Sequence, residues 1–187
     1  MNKIRKRIQF GLCMMLLLPG CATFQSVVSS VAPDYNEFSS DSMLEAAVMI
    51  EQGVLDGERE PELPEFPGLT FDTEEIRQAL RIRAVRVHLI QEFLNTGHSR
   101  EQNNGKIAII RTDEYKRSKS SKQRDRDALF VITENRDRDM IYTSIQDANQ
   151  LSPAGRSAVV KLFVQARVQL MSPNQKYQDE SGNTVVK

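Results

Sequence analysis

From residue 71 onward the chain alternates long amphipathic stretches with short polar breaks, and the spacing of its apolar residues predicts helices. Phe71-Asp72-Thr73-Glu74-Glu75-Ile76 is the clearest start: Asp72 caps, Glu75 answers from the third position and Phe71 staples onto Ile76. This helix runs to about Thr96 and stops at Gly97. Ile76, Ala79, Leu80, Val87, Ile90 and Leu94 fall on one face, and Ile82, Val85, Leu89 and Phe93 make a second. A helix with two apolar stripes lies between two partners, so this is the expected central element. His88 falls on its polar side and reads as an exposed histidine.

A turn-rich loop from Gly97 to Gly105 leads into Lys106-Ile107-Ala108-Ile109-Ile110, a short apolar run compatible with a buried strand or a helical segment. The next helix is expected over about 127–148. Its residues Val131, Asn135, Arg138, Tyr142 and Ile145 advance by three or four and share one face, which places Asn135 and Arg138 among apolar neighbours. A buried charge must be paired, so Arg138 is predicted to reach a carboxylate or loop carbonyls, with Glu101 the first candidate. The competing reading puts Arg138 and Tyr142 along a ligand groove. Ser152-Pro153 opens the last helix as cap and first turn, with Ala158, Val159, Leu162, Phe163, Ala166 and Leu170 as its main stripe. The tail from Gln175 to Lys187, with Ser181-Gly182-Asn183 between polar segments, has the pattern of a hairpin.

Before residue 71 the pattern is less regular. Ser42-Met43-Leu44-Glu45 reads as a capping box for a short helix to about Ile50, with Gly53 as its stop. That helix docks either on the domain or on a partner. Residues 56–68 carry Pro61, Pro64 and Pro67 with five acidic residues from Asp56 to Glu65, a composition that suits an extended linker, a strap or a recognition segment. The expected fold is mainly α: three to four helices with a short strand or hairpin, behind a flexible tether.

The first residues change the picture most. Lys3, Arg5, Lys6 and Arg7 precede an apolar run from Ile8 to Leu18, which fits a secretory signal and is shorter than the roughly 20 residues a membrane span needs. Leu18, Gly20 and Cys21 resemble a bacterial lipobox, with Pro19 an unusual third-last residue. The resemblance implies that Cys21 is lipidated and that the chain is cut before it. Residues 1–20 are then a signal peptide, 21–40 a tether, 41–70 a short helix with a Pro-rich linker, and 71–187 the helical domain.

Removing the signal also removes four basic and no acidic residues, so a balance of 25 against 25 becomes 21 against 25. A mildly acidic chain facing away from the cytoplasm is a poor nucleic-acid partner. Cys13 leaves with the signal and Cys21 takes lipid, so neither is left for a disulfide, redox or zinc site. Cofactors and metals are not expected. No H-E-x-x-H, G-x-S-x-G or glycine-rich phosphate loop is present, and paired carboxylates such as Glu74-Glu75 and Asp137–Asp139 read as helix-surface charge, so an enzyme is not expected. The basic run 116–126 reads either as a contact with anionic headgroups or cell-wall polymer, or as a solvated loop and frayed helix start.

Two stretches together resemble the YdbL family of small bacterial envelope proteins. Gly97-His98-Ser99-Arg100-Glu101-Gln102-Asn103-Asn104-Gly105 is similar to that family's G-x-x-G-E-x-x-x-G loop, with Arg100 in place of the inner glycine. Asn135, Arg138 and Tyr142 match its N-x-x-R-x-x-x-Y helix, Asn149-Gln150-Leu151 the following turn, and Tyr177-Gln178, Gly182 and Lys187 its closing segment. Thr184 stands where many members carry tryptophan. The resemblance implies an accessory or chaperone-like role beside AsmA-like proteins that bridge two membranes for lipid transport. With the lipobox, it points to a membrane-anchored lipoprotein facing the periplasm and meeting a protein partner. Ala22 after the cysteine lacks the aspartate that commonly retains lipoproteins in the inner membrane, so the inner leaflet of the outer membrane is the expected place. The alternative is a small-ligand or lipid-binding module, whose mark would be a contiguous apolar cavity. Glu101, Asn135, Arg138 and Tyr142 are the candidate polar cluster under either reading.

Overall fold

A computed structural model describes residues 37–187; Cys21, the signal and most of the tether lie outside them. The described chain is mainly helical, with α1 (Ser40–Leu55), α2 (Glu74–Asn95), α3 (Asp113–Ser118), α4 (Ser121–Ala148) and α5 (Pro153–Leu170). Four short strands accompany them: β1 (Ser99–Glu101), β2 (Ile107–Ile109), β3 (Lys176–Gln178) and β4 (Thr184–Val186). Five helices thus replace the expected three to four. The surplus is the short α3, which takes the first three residues of the basic run, while its last six join α4.

The starts follow hydroxyl caps, though not always the expected ones. Ser39, one turn before Ser42, caps α1 by accepting from the Ser42 amide at 3.3 Å. Gly53 does not stop this helix. It is buried under Pro61, where a β-carbon would come within 3.1 Å of the proline ring, and the helix continues to Leu55. There Gly57, at φ +74°, closes a Schellman turn: its amide donates to Val54 and that of Glu58 to Gly53. Thr73, not Asp72, caps α2 through the Ile76 amide, while Asp72 takes a fork from Arg77 at 2.5 and 2.8 Å. Gly97 at φ +69° ends α2 as its sequence suggests. A full capping box of Ser120 and Gln123 starts α4 six residues before the expected 127. Ser152 caps α5, with Pro153 as its first residue.

The run 107–109 is a strand and the tail is a hairpin. The sheet order is β2-β1-β3-β4, with β1 antiparallel to β2, parallel to β3, and β3 antiparallel to β4. The hairpin register pairs Glu101 with Ile107, and β1 pairs Glu101 with Tyr177.

The main core is built by α1, α2, α4 and α5 from residues such as Met43, Ile50, Ile76, Leu80, Ile145 and Phe163. A second cluster joins Ile90, Phe93 and Leu94 of α2 to Ile107 and Val131. The α1 helix docks on the domain along α5 and α2. Residues 56–68 form a strap that buries Pro61, Leu63 and Pro64, and Thr70 is pinned by both amide atoms of Asn149 at 2.7 and 2.8 Å. Of the second α2 stripe only Phe93 is buried; Val85 remains 53 % exposed, and Ile82 and Leu89 are half-buried.

Candidate functional site

Six charged side chains on α1, α2, α4, α5 and β1 close a ring in the interior, alternating carboxylate and guanidinium. Glu51 on α1 accepts a fork from Arg83 on α2 at 2.8 and 3.2 Å. Arg83 Nε donates to Glu134 on α4 at 2.9 Å, and Arg138 Nε, one turn along, donates to the same oxygen at 2.8 Å. Arg138 then forks onto Glu101 of β1 at 2.7 and 2.9 Å. Arg167 of α5 returns the chain of bonds, donating to Glu101 at 3.1 Å and to Glu51 at 2.9 Å. A branch from Glu134 runs through Arg86 to Asp137, at 3.0 and 2.6 Å.

None of these eight side chains is more than 8 % exposed. Four carboxylates face four guanidiniums, so the buried group is neutral as a whole, which is what lets ions survive away from water. Burial pushes the Glu51 carboxyl up, but Arg83 and Arg167 more than offset that and hold it at about 2. Burial and the same kind of competition act on Glu134, where Arg83 and Arg138 win by more and hold it far below the carboxylate range. Glu51 and Glu134 are therefore ionised acceptors, and all three ring carboxylates are already engaged by guanidinium hydrogen bonds. The interior cavity beside the ring is about 40 Å³, walled by ring residues and by Val87, Ile90, Leu94 and Leu170. That space suits on the order of one or a few waters and no larger ligand.

The four candidate residues come together, and all of them hold the β1–β2 hairpin onto α4. Glu101 and Arg138 are in the ring. Tyr142 donates to the Gly105 carbonyl at 3.2 Å, which also accepts from Arg167 at 3.1 Å. Asn135 sits outside the ring and clamps one residue of β2 from both sides, accepting from the Ile107 amide at 2.8 Å and donating to its carbonyl at 3.0 Å. Burial raises the Tyr142 hydroxyl above its ordinary range, so it stays a donor. Gly105 needs its φ of +85° and its lack of side chain: a β-carbon would lie 2.8 Å from Val160 and 3.1 Å from the Tyr142 ring.

Glu51, Arg83, Arg86, Glu134 and Arg167 are missing from the sequence-derived set, and Asp137 is placed wrongly there. Read as surface charge, Asp137 is 1 % exposed and bonded to Arg86; its presumed companion Asp139 is exposed and pairs with Arg156. The signal was available. Arg83 fills the gap in the stripe 76, 79, 80, 87, 90, 94, just as Arg138 fills one in α4. Glu51 and Arg167 interrupt stripes in the same way, between Ala47 and Val54 and after Phe163. His88 is exposed, as are Glu74 and Glu75. Among the described residues no cluster of histidine or acidic side chains is arranged to hold a metal ion.

The chain matches no family model, no curated protein and no solved structure.

Proposed function

We propose that this chain is a lipid-anchored envelope protein with a non-enzymatic accessory or chaperone-like role, acting by contact with a protein partner. An AsmA-like intermembrane bridge is the partner class that the YdbL-like pattern suggests. One observation carries the reading: the pattern's residues lock to one another. Glu101 meets Arg138, the Gly105 carbonyl meets Tyr142, and Asn135 grips the strand that follows the loop. Even the two departures meet, since Arg100 donates to Thr184 at 2.6 Å. Such a pattern specifies a scaffold whose Glu101, Asn135, Arg138 and Tyr142 are engaged with one another's elements, so recognition falls to the surface. The anchor reading adds the place. Cys21 is the lipidation residue of this proposal, and the described fold begins sixteen positions later.

The alternative, a small-ligand or lipid-binding module, has one support. An open groove of about 640 Å³ runs beside Ile82, Val85, Leu89 and Phe130.

Two measurements test the proposal. Intact-mass analysis of the protein from cells should find acyl chains on Cys21, and Cys21→Ser should release the chain from membranes. Crosslinking in cells should then capture a bridge component or assembly factor. Recovery of bulk lipoproteins alone would sink the accessory role.

A further inference from the structure

The outer side of α4 and the neighbouring side of α2 carry a feature the buried ring does not explain. Leu129 and Ile132 on α4 are 64 % and 62 % exposed, and Val85 on α2 is 53 % exposed. Phe130 of α4 lines a groove with Val85 and Leu89 of α2. Exposed apolar residues scattered singly are ordinary, but these sit on adjoining helices, and α4 continues directly into the basic run.

That run is held in place. Tyr115 of α3 donates to the buried Asp127 of α4 at 3.1 Å, and Arg124 reaches back to the carbonyls of Lys116 and Lys119 at 3.1 and 2.6 Å. The Ser120–Gln123 box fixes the first turn of α4. Lys122, Arg126, Leu129, Thr133 and Arg136 advance by three or four and share the outer side of that helix, opposite Asp127, Val131, Glu134 and Arg138. Arg117, Lys122 and Arg126 are exposed and, among the described residues, have no carboxylate partner. Glu114 and Asp125 are exposed carboxylates that dilute this charge, Lys116 is paired with Asp113 at 3.2 Å, and Glu60 in the groove beside Val85 is paired with Arg81 at 2.6 Å.

We infer that this face is a docking surface for an anionic lipid bilayer, with Leu129, Ile132 and Val85 entering the headgroup boundary and Lys122, Arg126 and Arg117 on the lipid charges. Cations beside exposed aliphatic side chains on one helical face are the chemistry of interfacial binding. The proposal rests on the lipid-anchor reading for the bilayer's nearness: the sixteen steps from Cys21 to Glu37 reach at most about 55 Å, whatever their conformation. In that reading the acyl chains at Cys21 supply the attachment, so the face orients the domain.

The test removes the anchor. The mature chain with Cys21→Ser is mixed with vesicles of phosphatidylethanolamine containing roughly 30 % phosphatidylglycerol, and separately with neutral phosphatidylcholine vesicles. Sedimentation should show at least about tenfold more chain on the anionic vesicles, lost in about 0.5 M salt. Lys122→Glu with Arg126→Glu should lower that partition at least about tenfold, and Leu129→Asn with Ile132→Asn at least about threefold. All four side chains are exposed, so melting temperatures should not move, and either pair alone decides. Equal partition on both vesicles, none on either, unaltered partition in the variants, or binding to purified cell-wall polymer in place of vesicles would each overturn the inference. Failure of the anchor itself is read separately, from the mass at Cys21 in the wild type.

Discussion

Replacing Arg138 by Met keeps the length of the side chain and deletes its charge from the closed ring. Three hydrogen bonds vanish, two to Glu101 and one to Glu134. Glu134 keeps Arg83 and Arg86, but Glu101 is left with a single bond at 3.1 Å from Arg167. Four carboxylates then face three guanidiniums at sites at most 8 % exposed. Breaking a buried pair from one side costs about 3–5 kcal/mol, because the orphaned charge is dehydrated without compensation. Unfolding a domain of this size carries an entropy of about 0.3 kcal/mol/K, so the melting temperature should fall by roughly 10–15 °C. The assay is thermal unfolding followed by far-ultraviolet circular dichroism, with Arg156→Ala as the exposed control. That change breaks only the surface pair with Asp139 and should cost less than about 1 kcal/mol. Adding Glu101→Gln to Arg138→Met restores three against three, so the double variant should be more stable than the sum of the single costs by about 2 kcal/mol. A melt of Arg138→Met within about 3 °C of wild type, or strict additivity in the cycle, would refute the ring as an energetically coupled unit.

Acid should unfold the protein through the same carboxylates. Glu51 is held at about 2 and Glu134 lower, both below the unfolded value of 4.5, so their contribution is complete above that value and lost as pH falls toward 2. Urea midpoints measured between about pH 5 and pH 2.5 should fall steadily, and a flat profile would contradict the assignment. Gly105→Ala should destabilise by about 2–3 kcal/mol, since it pairs a positive φ with a 2.8 Å approach to Val160; a denaturant midpoint equal to wild type would show the hairpin relaxes freely. Asn135→Ala should cost about 2 kcal/mol and speed hydrogen exchange at the Ile107 amide, with unchanged exchange arguing against the clamp.

Periodicity carried much of this architecture to the surface of the sequence. The α2 stop at Gly97, the Ser152-Pro153 start of α5 and the terminal hairpin pattern followed from local chemistry, whereas the run 106–110 left strand and helix both open and its pairing with β1 decides for the strand. Starts were missed where two capping residues compete within a turn: Ser39 against Ser42, Thr73 against Asp72. The losers had other roles, as when Asp72 pairs with Arg77. Gly53 misled because a glycine that admits a proline ring looks, in sequence, like one that ends a helix. Arg138 was legible because it interrupts an apolar stripe, and pairing it with Glu101 needed only the rule that buried charge is compensated. The same rule applied to Arg83, Arg167, Glu51 and Glu134 would have exposed the ring. What hid them was abundance: in a chain with 25 acidic and 25 basic residues, one more charge on a helix passes for surface.

The ring's placement argues for a role in register more than in depth of stability. Along α2 its member Arg83 and the branch residue Arg86 lie between Leu80 of the main core and Ile90 of the second cluster, and along α4 Glu134 and Arg138 lie between Val131 and Ile141. Apolar stripes alone would tolerate a slide of one helical turn, about 5.4 Å, because one aliphatic contact replaces another. The ring does not tolerate it. Moving α1 by a turn removes Glu51 from Arg83 and Arg167 together, and moving β1 removes Glu101 from Arg138 and Arg167 together. Each slip breaks three hydrogen bonds from two buried guanidiniums and strands one carboxylate, at a cost of several kcal/mol that an apolar replacement would not impose. An interior made this way raises the energy of wrong arrangements without deepening the right one to the same extent. It also spends its eight buried charges on one another, so contacts with the outside fall to exposed residues, among them Val85 of α2 and Leu129 and Ile132 of α4.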